Sequence, residues 1–269
     1  MDPNSTPPQV DWSRMAEPQE DGYDSAVTLA LARDEQGWRK ADAPDPPTFC
    51  DGRVALRLWP FDEVPGKDLV PGPVEHPNLV KAEEYVKTLW PAAYRQFAAL
   101  VSEVYPMTLR DCDEKRSIGS CSGQNAHRPF TLYVTTFDPF GTAESLLHEM
   151  AHIKLRCVGV QVESCTRLIL NDPAELYVSP LRSFKRPMTA VAHAFYSWLY
   201  LTELGVRLAD RDAKRAFLRL PRNFQWIEQM RREIRTHARL DDAGREFFER
   251  LYAWADRLLL RGRALAQTA

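Results

Sequence analysis

The sequence predicts a mainly helical α+β domain with a small β-sheet. Three observations carry this. Long segments place apolar residues at the 3.6-residue spacing of a helix. Only a few short runs alternate or are rich in β-branched and aromatic residues, as strands require. The balance of 44% hydrophobic and 27% charged residues is that of an ordinary globular chain, and 269 residues suffice for one large core.

Residues 1–47 hold seven of the 20 prolines and ten acids against four bases, a net of −6. They read as an acidic, proline-rich, weakly ordered arm, apart from a short helix predicted over Ala26–Ala41. Residues 48–269 read as a single domain carrying the chemistry. Arg53–Trp59 alternates and predicts a strand. Asn78–Val104 has helical spacing, divided or kinked at Pro91. Arg110–Ser122 is polar with two glycines and reads as a loop. Phe130–Thr136 predicts a strand. Asp138-Pro139 and Thr142 offer helix starts before the helical run Ala143–Val158. Glu175–Ser179 suggests a short strand, and Thr189–Leu208 a helix. Residues 211–267 predict two or three helices, bounded near Pro221 and Asp241. The region 206–269 carries fifteen bases and nine acids. Its excess of positive charge suits a solvated helix face, an acidic peptide or the chain's own acidic arm.

Several classes are disfavoured. No apolar run approaches the roughly 20 residues that span a bilayer. The first residues lack the basic start and apolar core of a secretory signal, so a cytoplasmic location is expected. A net charge of −2 gives no electrostatic reason to expect nucleic acid. Cys50, Cys112, Cys121, Cys157 and Cys165 are odd in number and contain no CxxC pair, which argues against a disulfide framework or structural zinc site.

The segment Leu146–Leu155 carries the chemistry. It contains His148-Glu149-Met150-Ala151-His152, an HExxH pattern. On a helix, residues four apart share one face, so two imidazoles can grip one metal ion in a zincin-like arrangement. Glu149 is then the catalytic candidate, as general base on metal-bound water or as a group that holds a ligand in place. Two histidines require a third ligand, and Glu163, Asp172, Glu175, His193 and Glu203 follow in the chain. Glu175 lies beside Asp172-Pro173 in a predicted loop or strand, and Glu203 near a helix end. His193 stands inside the Thr189–Leu208 helix, with Ala190, Ala192, Ala194 and Ser197 leaving room for an ion. Three neutral imidazoles suit zinc, which activates water, and iron(II), which takes a 2-oxo acid and dioxygen. A 2-oxoglutarate site also needs a cation for the distal carboxylate. Arg182 and Arg186, between the two histidine-bearing helices, offer the planar fork that matches one.

The stretch from about Phe130 to Glu203 resembles the HExxH-type 2-oxoglutarate-dependent peptide β-hydroxylases, bacterial enzymes that occur with ribosomally made peptides. The resemblance lies in the LxHExxHxKL helix Leu146–Leu155, the Y-x-SP-x-R-x(3)-RP segment Tyr177–Pro187, and His193-Ala194-Phe195-Tyr196. It covers about 75 of the 269 residues. It departs from that pattern at Leu181, at Phe184-Lys185, and at Ala192 and Ala194. The resemblance implies that His148, His152 and His193 bind iron(II), and that Arg182 or Arg186 binds 2-oxoglutarate. The substrate would be a peptide, with no nucleic acid or membrane involved. Glu149 then supports a ligand rather than acting as a base. Two other readings stand beside it: a zinc metallopeptidase with Glu149 as general base, and a non-catalytic peptide-binding scaffold.

Overall fold

The computed structural model describes residues 10–40, 45, 47–61, 68–109, 122–124, 128–162, 164–182 and 184–268. After a 3-10 turn at Trp12–Arg14, the chain runs through α1 (Tyr23–Gln36), β1 (Thr48–Phe49), β2 (Val54–Leu56) and β3 (Leu69–Pro71). It continues with α2 (Pro77–Leu89), α3 (Pro91–Leu100), β4 (Glu103–Leu109), β5 (Ser122–Gln124), β6 (Thr131–Thr135) and α4 (Pro139–Cys157). The remainder is β7 (Leu176–Tyr177), β8 (Arg186–Pro187), α5 (Met188–Ala209), α6 (Ala213–Phe217), α7 (Leu220–His237) and α8 (Asp242–Thr268). The architecture is mainly helical with a small mixed sheet, as the sequence predicts. No helix among the described residues is long and apolar enough to cross a membrane.

The sheet runs β1-β2-β4-β6-β5, and β3 also pairs with β4. Strands β2, β4 and β6 are parallel, in register at Ala55↔Glu103 and Val104↔Leu132; the other pairs are antiparallel. Strand β4 is the element the sequence concealed. Its start falls inside the helical run predicted over Asn78–Val104, and Pro106 argues against a central strand. The register explains the exception. Strand β2 pairs with Glu103 and Val104, whereas β3 pairs from Met107 onward. The Pro106 carbonyl accepts from Gly72 N–H, so its nitrogen faces the same side, in the gap between β2 and β3. Strand β6 lies on the other side, and its ladder asks nothing of that nitrogen. The predicted loop Arg110–Ser122 lies outside the described residues except for Ser122, which belongs to β5.

Pro91 divides the predicted long helix: α2 ends at Leu89 and Pro91 opens α3. Helix α4 is wrapped by α1, α2, α3, α5 and the sheet strands β5 and β6. Almost every residue on it is buried, charged ones included. Two of those charges have partners from elsewhere: Glu144 pairs with Arg219, and Lys154 with Asp24.

The N-terminal segment is the main correction. Residues 10–40 are not a loose arm. Trp12, Met15, Ala16 and Ala32 are buried in the central core, and Asp24 is buried with them. Helix α1 covers most of the predicted Ala26–Ala41 run but begins earlier and stops at Gly37, whose φ of 68° ends the helix and turns Trp38 back. The physical reason is specific polar docking. Asp24 accepts from Lys154, from Gln96 and from the Gln19 backbone, so an acid that reads as solvated is the anchor of the segment. The basic C-terminal helix takes part, since Arg257 of α8 pairs with Glu17.

Candidate functional site

Helix α4 begins where Asp138 caps it, accepting from Gly141 N–H at 2.6 Å, with Pro139 in the first turn. It ends in a Schellman turn. Val160 N–H bonds to Leu155 O and Gly159 N–H to Arg156 O, with Gly159 at φ 92°. A side chain at Gly159 would also strike Thr166 Oγ1. This stop has a consequence for the site. It directs the Val160 carbonyl at His193 of α5, whose Nε2 lies 2.8 Å away.

The three predicted histidines come together. His148 Nε2 and His152 Nε2 are 3.0 Å apart, one helical turn along α4. His152 Nδ1 lies 2.9 Å from His193 Nδ1. His193 is 2% exposed, whereas the His148 side chain is 25% exposed. Burial pushes His148 and His193 down to about 4 and His152 well below its ordinary value. The positive charges of Arg186 and Arg156 add to the depression at His152 and His193. All three rings are therefore neutral near pH 7, the state in which imidazole ligates metals.

The contacts order the protons. The Val160 carbonyl only accepts, so His193 Nε2 carries hydrogen and its Nδ1 a lone pair. His152 Nδ1 must then donate to His193, and His148 Nε2 to His152 Nε2. As the rings stand, they form a line with His152 in the middle. Among the described residues, no group of three His, Cys, Asp or Glu side chains surrounds one ion position.

The donor chemistry nevertheless fits a divalent metal. The Nε2 atoms of His148 and His152 are close enough to share one ion once the His148 proton moves to Nδ1. His193 turns an Nδ1 lone pair toward the His152 ring, held there by its Nε2 contact with the Val160 carbonyl.

The other predicted ligands are engaged elsewhere. Glu175 pairs with Arg239 at 2.9 Å and accepts from Tyr177. Glu203 accepts from Arg207 and from Trp254 Nε1. Asp172 caps a turn by accepting from Ala174 N–H. Glu163 lies outside the described residues. Glu149 is buried, with Oε1 4.0 Å from His148 Nε2.

His148, Glu149, His152 and His193 line an open pocket of about 850 Å³. Arg182 and Arg186 line it too, as does Arg156, which the sequence reading missed. Arg186 is half-buried on β8, two residues before α5 begins; Arg182 is exposed on the turn before it. Among the described residues, neither side chain has a hydrogen-bonding or ion-pair partner. Burial and the charge of Arg182 lower the Arg186 guanidinium below its usual range. Trp198 and Trp226 form an apolar wall, their rings edge to face at 4.6 Å. A sequence signal for Arg156 did exist. His148, His152 and Arg156 stand at i, i+4 and i+8, one stripe of the helix. Trp226 had none, because α7 reaches the pocket only through its packing on α5.

No family model matches the chain, and the curated proteins compared with it offer no match either.

Proposed function

We propose that the chain is an iron(II)- and 2-oxoglutarate-dependent oxygenase that hydroxylates a β-carbon within a peptide. One observation carries the reading. Three neutral imidazoles and three guanidinium groups line a single pocket, and Glu149 is the only carboxylate among its described lining residues. Such a wall attracts a doubly charged anion and can direct one end of it toward a metal.

His148, His152 and His193 would hold the iron(II). When bound, iron with 2-oxoglutarate and dioxygen supplies hydrogen abstraction and oxygen insertion, with succinate and carbon dioxide leaving. The protein's part is ligation and orientation. Arg186, half-buried and close enough for its charge to act on His152 and His193, takes the distal carboxylate of the cosubstrate. Arg182, exposed on the turn, takes a more outward position. The Val160 carbonyl keeps His193 in its ligating tautomer. Trp198 and Trp226 exclude water from one side. Glu149 transfers no proton; it buttresses His148 from within the helix. The segment that carries both arginines also exposes Leu176, Val178 and Phe184, an apolar surface suited to a polypeptide.

A second reading, a zinc metallopeptidase, is favoured by Glu149, which lines the same pocket within reach of a water held by His148. The test is anaerobic reconstitution with iron(II), with and without 2-oxoglutarate, followed by succinate formation in air. A visible charge-transfer band that needs both components is expected, and Glu149→Gln should keep iron and measurable turnover. Absence of the band, or loss of turnover in Glu149→Gln with neither Arg182→Ala nor Arg186→Ala having any effect, would overturn the assignment. Failure to bind any divalent metal would point instead to a peptide-binding scaffold.

A further inference from the structure

The N-terminal segment, which reads in the sequence as solvent-facing, reaches the back wall of the pocket. At the end of α1, Gln36 Nε2 donates to Arg156 O at 2.8 Å and to Cys157 O at 3.0 Å. These carbonyls belong to the last turn of the histidine helix; Arg156 O also accepts from Gly159 N–H, and Gln36 supplies a donor to Cys157 O, which lies where the helix ladder has ended. Gln36 Oε1 accepts from Gln161 Nε2, which also donates to Arg156 O. Gln161 Oε1 in turn accepts from Arg156 Nε at 3.2 Å. Beyond Gly37, the Trp38 ring lies against the Arg156 guanidinium, 5.5 Å from centroid to Cζ. Gln36, Gln161 and Arg156 thus close a ring of hydrogen bonds on one side of the guanidinium, and an indole covers it. Both Arg156 and Gln161 line the pocket.

We infer that Arg156 is an anion-binding side chain of the pocket, and that Gln36 and Trp38 are its positioning residues. The ligand class is a carboxylate, the distal one of 2-oxoglutarate, which Arg156 shares with Arg186 across the pocket, so the inference rests on the oxygenase reading of the same pocket. Three features point this way. A half-buried arginine is the side chain of choice for fixed carboxylate recognition, since its fork is planar and permanently charged. A long side chain loses rotamer freedom when it binds, and Arg156 has already been ordered by Gln161 and Trp38. It also shares the helical stripe of His148 and His152, so an anion held by Arg156 lies along the line of the two imidazoles. Gln36 acts on the histidines as well. It braces the 158–162 turn, whose Val160 carbonyl fixes His193.

The experiment is anaerobic calorimetric titration of the full-length, iron(II)-loaded protein with 2-oxoglutarate, with melting temperatures measured in parallel. Arg156→Gln should weaken binding about tenfold or more. Trp38→Ala, which removes the ring but leaves Arg156, should weaken it by about two- to fivefold, the range of an exposed to partly buried cation–π contact. Trp38→Phe retains a ring face and should bind within about twofold of the wild type. This rescue separates positioning from general stability, since a merely structural tryptophan would not track ring character in ligand affinity. Gln36→Ala should weaken binding to a similar extent. Wild-type affinity in Arg156→Gln, or equal affinities in Trp38→Ala and the wild type, would overturn the inference while leaving the oxygenase reading intact. If the wild-type protein binds no 2-oxoglutarate, both fall together.

Discussion

Replacing Asp24 with alanine should destabilise the protein by about 3–5 kcal/mol, the cost of leaving a buried charge without its partner. The geometry sets this scale. Asp24 and Lys154 meet at 2.9 Å with both side chains 1% exposed. Asp24 also accepts from Gln96 and from Gln19 N–H, and Gln96 is tied through Tyr200 to Tyr196. Removing the carboxylate therefore strands an ammonium group and two further donors. For a chain of this size, 1 kcal/mol corresponds to about 2–4 °C in melting temperature, so a fall of roughly 6–20 °C is expected. Urea unfolding followed by circular dichroism gives the free energy directly. Burial already lowers Lys154 below the usual lysine range, despite the opposing pull of Asp24. Without Asp24 it should fall further. The unfolded chain would then bind a proton that the native state has released, so the variant should regain stability as pH rises toward the ordinary lysine value. The double variant Asp24→Leu/Lys154→Met should be more stable than Asp24→Ala, since an apolar pair carries no stranded charge. A loss below about 1 kcal/mol in Asp24→Ala would refute the reasoning. It would mean that residues 10–40 rest on the core without holding it.

Three other outcomes are expected. In metal-free protein, stability should fall as pH drops from about 6.5 toward 4. There the unfolded histidines take up protons that the native His148, His152 and His193 refuse; His193 alone contributes about 3 kcal/mol, and the more exposed His148 less. Wild-type urea midpoints that stay flat across that range, or a His193→Gln variant whose midpoint falls as steeply as the wild type's, would count against it. Gly244→Ala should cost about 1–3 kcal/mol, because the added carbon would sit 2.1 Å from the backbone oxygen of Leu168; an unchanged unfolding midpoint would contradict this. Arg186→Ala should raise the 2-oxoglutarate requirement by about tenfold or more, the worth of one charge-assisted hydrogen bond. Arg182→Ala, at an exposed position, should raise it only a few-fold, and the reverse order in KM would reassign the two.

Much of the helical frame was legible in the sequence, because helical periodicity and caps are local. Asp138-Pro139 opens α4, Pro91 divides α2 from α3, and the stripe from Thr189 to Leu208 is α5 within a residue at each end. The HExxH spacing by itself places His148 and His152 one turn apart, and the small neighbours of His193 mark a helix face with room beside it. Strand β4 escaped because its permission to contain Pro106 comes from the gap between β2 and β3, which are distant in the chain.

Tertiary structure alone decided what those faces meet. The acid content of the first 47 residues predicts solvation, yet Asp24 is buried because Lys154, 130 positions later, supplies the compensating charge. Arg156 and Gln161 join the pocket because Gln36 and Trp38 cross to the end of α4, and Trp226 joins it because α7 packs against α5. Periodicity reports that a face is buried. The partner that makes burial of a charge tolerable, and the direction in which an imidazole turns its lone pair, depend on residues brought from elsewhere in the chain, and only the packed fold supplies them.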